Sequence, residues 1–350
     1  MEQLNHDDLK AAIQREIINE QQYSAIVQIA KAREFAQKNL ADEDEPFAIF
    51  LGFSEIFISI GLCILYAGTL GVLAFLSSPF ASASLMAILS ILLSHYFIKK
   101  RRMVLPSIIA TSAFAITTIV ALITMAEGMI SNLTPSSLFV CSLIVFCLLI
   151  VMFRFYRFPY LAFIAGCTGL MSMLSLGGLV YTTEYEHITP TKMLDLTVQP
   201  ALAASILLFG LITLIIGLYF DFRDPHRIGN ASKTAFWLHL LAGPALLNVF
   251  AFNLYYDGNL ISYALTAILL CLFVIIALVI DRRSFISTGI IYMSFLLSWA
   301  TKSIGIDTDY ISLFILGLAI TVLATWWHAW RHRLMNFLPE FRFKDRLPPY

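Results

Sequence analysis

Ionisable and amide side chains set within or beside long apolar runs are the residues of this chain whose chemistry is worth asking about first. Glu55, His95, His239 and Asn248 stand out. A charge at the centre of a bilayer costs about 2.5–3.5 kcal/mol on insertion scales, so a residue placed there is expected to be paired and functional. Glu55 immediately precedes a complete apolar span, His95 lies one turn before Lys99, and His239 lies one turn into a span that begins near Ala235. The three could share one depth, and a carboxylate with two imidazoles would suit proton handling or a metal. The plainer reading of each is a satisfied polar residue at the membrane boundary. Asn248 falls about 20 Å from the start of its span at 1.5 Å per residue. An amide at that depth serves either as glue between helices or as lining for a polar cavity.

A second group occupies the polar stretch from Asp221 to Lys233, with Asp221, Arg223, Asp224, His226 and Arg227. Lipid-metabolising enzymes place such clusters at a membrane face, but the spacing matches no lipid-phosphate transfer motif. A self-paired loop turning at Pro225 and Gly229 is the plainer expectation. His328 and His332 have the i, i+4 spacing of a metal pair, yet arginines surround them and no carboxylate is near, so no metal site is assigned. Cys63, Cys141, Cys147, Cys167 and Cys271 all sit in apolar runs without a CxxC pair and read as small core hydrophobes. The sequence assigns no catalytic residue and no cofactor, and the balance of its features is against an enzyme.

The elements that must position these residues are membrane helices. Of the 350 residues, 59% are hydrophobic and 13% charged, with a mean hydropathy of +0.80. A soluble domain is about 45–50% apolar and about 25% charged, so this chain has too little polar surface to face water everywhere. Ten runs approach the roughly 20 apolar residues that cross a bilayer: Ile56–Leu76, Phe80–Ile98, Val104–Ala126, Leu138–Phe153, Pro159–Tyr181, Pro200–Phe220, Ala235–Leu254, Leu260–Ile280, Ser284–Ala300 and Ile311–Trp330. The fourth and ninth are short. The fold class is therefore all-α, a polytopic transmembrane bundle of about ten spans.

Charge tests that count independently, because cytoplasmic loops carry an excess of Lys and Arg. With both termini inside, 21 of the 23 basic residues fall on the cytoplasmic side, and only Lys192 and Lys302 fall outside. A wrong number of spans would have turned some of the basic loops outward. Equal numbers of basic and acidic residues, 23 each, give no electrostatic footprint for nucleic acid.

Residues 1–45 are polar and contain no cleavable signal, so the first apolar helix is expected to direct insertion. Asp7 and Asp8 can cap a first short helix, and Asn19 with Gln22 a second. Tyr23, Ile26, Val27 and Ala30 then make an apolar stripe. The segment reads as a cytosolic helical hairpin followed by an acidic linker, Asp42–Glu45. Residues 46–330 form the transmembrane bundle. Residues 331–350 mix bases with apolar and aromatic side chains and read as an interfacial tail on anionic lipid, beside an aromatic belt of Trp326, Trp327 and Trp330.

Three stretches carry a resemblance: FAIFLGFSEIF at 47–57 with the glycine-bearing helix behind it, DFRDPHRIGNASKTAFWLHLLAGP at 221–244, and the LPEFRFKDRLPPY tail. With the helical N-terminus, they resemble a family of bacterial polytopic inner-membrane proteins with a short helical N-terminal segment, to which no activity is attached. The resemblance covers most of the chain and implies one continuous unit in the bacterial inner membrane. It imports no functional residue.

Three functions fit these observations. A small-solute transporter or channel would need a polar path at mid-depth, through Asn248 and the Ser/Thr residues. A non-catalytic scaffold or signalling module would bind a cytosolic partner, or a second copy, through the N-terminal hairpin. A lipid-facing enzyme would use the 221–233 cluster. The shortage of mid-membrane charge speaks against a proton pump. The seventh span separates the readings: Pro244 frees a backbone carbonyl, Gly243 permits close approach, and His239 and Asn248 fall on different faces. It should be surrounded by protein, with Glu55 or His95 as the partner of His239.

Overall fold

The computed structural model describes residues 12, 15, 17–28, 52–129, 134–180, 193–225, 227, 229–303, 309–340, 344 and 347–348. The expected cap at Asp7–Asp8, the acidic run 42–45 and His226 lie outside the described residues. The chain divides into two units, Met1–Phe47 and Ala48–Tyr350. In the first, a helix over 20–28 opens with a reciprocal capping box. The Gln22 N–H donates to Asn19 Oδ1 at 2.8 Å, and the Asn19 N–H donates to Gln22 Oε1 at 3.0 Å. Ile17 and Ile26 are exposed.

The second unit has only helices as regular elements among its described residues: α1 Phe53–Leu76, α2 Pro79–His95 running on through a π turn Tyr96–Arg101, α3 Val104–Met129, α4 Pro135–Tyr156, α5 Tyr160–Leu179, α6 Pro200–Arg223, α7 Asn230–Tyr256, α8 Leu260–Ile280, α9 Ser287–Ser303 preceded by a 3₁₀ turn Arg283–Ile286, α10 Asp309–Thr325 and α11 Trp327–Phe337. Their starts follow local chemistry. Ser78, Thr134 and Asn259 each accept a hydrogen bond from the backbone N–H three residues on, and Pro79, Pro135 and Pro200 occupy first-turn positions whose N–H would have no helical partner.

Among the described residues, nine helices are long and apolar enough to cross a membrane. The protein is an all-α, multi-pass membrane bundle. The short fourth run extends to 22 residues as α4, and the ninth reaches 20 with its 3₁₀ turn. The tenth run is broken: α10 and α11 meet at Trp326 with a bend of 66°, and count as a tenth span only if taken together.

Hydrogen bonds join the helix ends on the basic side and fit alternating up-down spans. Glu55 of α1 meets the start of α3, His95 at the end of α2 meets Tyr156 at the end of α4, Asn230 at the start of α7 donates to the Arg157 carbonyl, and Arg282 after α8 reaches Asp221 at the end of α6. The most extensive helix pairs are α6–α7, α4–α5 and α2–α3.

The seventh span is surrounded by protein, as its pattern of polar groups required. Half of its apolar stretch is buried, against 17–39% for the other eight spanning helices. Pro244 lies inside α7 without ending it. At Gly243 a side chain is excluded, because an added Cβ would overlap the Phe285 carbonyl of the 3₁₀ turn. α1 is at the opposite extreme: Phe57, Ile60, Ile64 and Phe75 are exposed along it, as befits a helix against lipid.

Candidate functional site

The buried polar side chains that converge lie at the basic end of α6, α7, α8 and α11, and a single turn organises them. α8 is apolar to Ile280 and stops because Asp281 takes a left-handed conformation, φ 55°. The Arg282 N–H then bonds to the Ala277 carbonyl at 2.9 Å and the Asp281 N–H to the Leu278 carbonyl at 3.3 Å, a Schellman-type closure with aspartate where glycine is commoner. Consecutive side chains therefore leave the helix end in different directions, and each organises its own cluster.

Arg282 points into the α6–α7 pair and is 1% exposed. Its guanidinium binds both oxygens of Asp221, Nη2 to Oδ1 and Nε to Oδ2 at 3.3 Å. Nη2 also donates to the Ser232 carbonyl at 3.1 Å and the Ser232 hydroxyl at 3.0 Å. Asp221 Oδ2 accepts a further bond at 2.8 Å from Nε2 of His239, whose side chain is wholly buried. The imidazole fits there because Gly217, one turn before Asp221, has no side chain: a Cβ would stand 3.0–3.3 Å from three ring atoms. His239 Nδ1 is buried without a hydrogen-bond partner among the described residues.

Asp281 points the other way. It pairs with Arg227 Nη1 at 3.0 Å and accepts from the Trp327 indole N–H at 2.7 Å, with Arg331 Nε 3.7 Å away. Burial pushes its carboxyl up, but the guanidinium groups of Arg227 and Arg331, together with the indole hydrogen bond, outweigh burial and hold it below the ordinary 3.8. Arg331 also ties α11 to α8 and to the tail, donating to the carbonyls of Leu278 at 3.2 Å and Pro348 at 2.6 Å. The tail is thus only partly interfacial. Trp327, Arg331, Met335 and Leu347 are buried against the bundle, whereas Trp326, Trp330 and Phe337 are exposed.

The four intramembrane candidates do not form one cluster. Glu55, 4% exposed, caps α3 from another helix: its Oε2 accepts the N–H groups of Val104 and Leu105, both at 3.1 Å. That is where a carboxylate belongs at a helix N-terminus. His95 is exposed, with Nδ1 3.2 Å from the Tyr156 hydroxyl. His239 pairs with Asp221, so the expected partnership with Glu55 or His95 is corrected. The helices decide it: α7 packs mainly on α5, α6, α8, α9 and the 3₁₀ turn, whereas Glu55 and His95 sit on α1 and α2. Asn248 is half-buried. Its side chain makes no hydrogen bond among the described residues, and its carbonyl accepts from the Tyr292 hydroxyl at 3.4 Å.

In the 221–233 group, Asp224 closes the loop on itself, accepting from the N–H groups of Gly229 at 2.7 Å and Ser232 at 3.4 Å. Arg223 is exposed and stacks on Tyr219, 4.9 Å from the ring centroid. Asp221 and Arg227 instead leave the loop for the α8 end. Arg282 and Arg331 entered the sequence reading only as two of the cytoplasmic bases, the latter in the interfacial tail, and Asp281 was not singled out. A signal for them was present, since an Asp-Arg pair directly after an apolar helix is a candidate helix stop. Among the described residues, no group of three or more His, Cys, Asp or Glu side chains is placed to hold a metal. His332 Nε2 instead lies 3.0 Å from Asn336 Nδ2.

Within the spans, several buried hydroxyls bond within their own helices, whereas Ser59 Oγ and Tyr66 Oη of α1 are buried with no hydrogen-bond partner among the described residues. Ser90, Ser94, Thr111 and Thr266 each donate to the carbonyl four residues back, at 2.7–2.8 Å, and Ser142 does the same while accepting from Ser172. A cavity of about 400 Å³ between α4, α5 and α6 and a smaller one of about 70 Å³ between α8, α9 and α10 both have almost wholly apolar walls. The chain matches no family model, no curated protein and no solved structure.

Proposed function

We propose that this chain is a non-catalytic membrane module of the bacterial inner membrane. Its bundle is a fixed platform, and its N-terminal segment is the part that engages a cytosolic protein. The observation that carries this reading is that the buried charged groups that converge pair with one another. Asp221, His239, Ser232 and Arg282 meet at the basic end, as do Asp281, Arg227, Trp327 and Arg331. Solute passage would instead call for polar groups facing a shared path through the membrane.

Two further features support it. Buried hydroxyls such as those of Ser90 and Thr266 bond within their helices, and the cavities are walled with apolar side chains. Ile17 and Ile26 are exposed in the N-terminal unit, where a partner would cover them. The test is flux. Purified protein in liposomes should leave permeability to protons, alkali cations, chloride, amino acids and sugars at that of empty liposomes. Saturable uptake of any of these would return the protein to the transporter class.

A further inference from the structure

The larger cavity is a groove at bilayer depth. On α4 it is lined from Phe139 to Phe153 and on α5 from Ala162 to Leu176. Fourteen residues at 1.5 Å give a length of about 21 Å, most of the depth of a hydrocarbon core about 30 Å thick. Leu143, Ile150, Ile212 and Ile216 line it and are also exposed, so it opens sideways, toward where lipid lies. Its volume of about 400 Å³ falls in the range of single-ligand pockets, about 300–1,000 Å³. The hydroxyl of Ser172 in its wall is already committed to Ser142 and the Thr168 carbonyl. A long, narrow, apolar occupant is required.

Apolarity alone would not retain an occupant here, because lipid tails are as apolar as the groove. The basic end supplies the rest. Phe153 and Phe220 meet edge to face across the groove, 6.3 Å between centroids. Beyond that pair stand Arg154 in the last turn of α4, Arg157 at its C-cap and Arg223 at the end of α6. Arg154 follows the groove-lining Ile150 by four residues and Arg223 follows Phe220 by three, so both continue the groove-lining faces by one turn toward water, and Arg157, left-handed at φ 51°, ends the helix beside them. All three arginines are exposed, and none makes an ion pair among the described residues. A groove for one chain with guanidinium groups free of carboxylate partners among the described residues at its mouth is complementary to an anionic lipid. We infer that this face binds one anionic phospholipid of the cytoplasmic leaflet, an acyl chain in the α4–α5–α6 groove and its phosphate at Arg154, Arg157 and Arg223. The inference is independent of whether the bundle passes solutes.

Native mass spectrometry of the purified full chain, titrated with phosphatidylglycerol or phosphatidylcholine, tests it. One phosphatidylglycerol should bind at a saturable first step that phosphatidylcholine lacks. The triple variant Arg154→Gln, Arg157→Gln, Arg223→Gln should weaken that step about tenfold or more. The equally neutralised Lys100→Gln, Lys233→Gln, Arg333→Gln should keep it. Ile216→Trp, filling the groove, should abolish it, and Ile212→Trp should do the same if the first variant does not fold. Equal retention of the two lipids, equal loss in both triple variants, or undiminished binding in a folded groove-filled variant would each overturn the assignment.

Discussion

Arg282 and Asp221 form the ion pair on which the α6–α7–α8 end turns, and both are nearly inaccessible to water. Removing one partner of such a pair leaves an uncompensated buried charge, at a cost of about 3–5 kcal/mol, whereas replacing both with apolar groups is often close to neutral. Arg282→Met and Asp221→Leu should therefore each destabilise the bundle strongly, and the double variant should lose less than the sum of the two. Equilibrium unfolding in mixed micelles measures all three; additive losses would mean the residues act separately. Asp281 makes a prediction in pH. Its folded carboxyl titrates below its ordinary 3.8, so its contribution is complete above that value and is lost as pH falls through the depressed folded value. Unfolding midpoints should be insensitive to this group from pH 7 down to about 5 and fall below about 4. Asp281→Asn should be less stable at pH 7 and should lack that part of the acid-dependent loss.

Among the elements, α1 and α3 are joined by a side chain acting as a helix cap. Glu55→Ala removes the acceptor for two N–H groups and should cost on the order of 1 kcal/mol. Glu55→Gln keeps an acceptor oxygen and should cost less, as thermal unfolding in detergent would record; a Gln variant as damaging as Ala would refute a capping role. The helices themselves were legible, because hydropathy and the placement of basic residues report the same property, which solvent a segment faces. The 66° break at Trp326 was not, since Ile311–Trp330 is continuously apolar and composition does not encode direction. Nor was the pairing of Asp221 with His239. Each residue was visible as an ionisable group near the basic end, but a sequence gives depth along one helix and not which neighbour a side chain faces. The apolar run of α7 also hid its polar first turn. Gly243 and Pro244 were legible because their effects, close approach and a missing donor, belong to the residues themselves.

At the scale of the bundle, charged groups among the described residues gather in two clusters at one end, and the spans between contain helix-bonded hydroxyls and apolar cavities. On the proposed reading the bundle has no water-filled route, and Asn248, the one amide read at mid-depth as a possible lining group, is the place to ask. With the five native cysteines replaced by alanine, Asn248→Cys and Ser172→Cys should resist a membrane-impermeant maleimide added to intact cells or to inverted vesicles. Gly258→Cys, in the turn after α7, should label from the outer side, and Lys233→Cys, in the first turn of α7, from the inner side. Labelling of Asn248→Cys from either side, at a rate near that of the two controls, would show a continuous aqueous path and contradict the account.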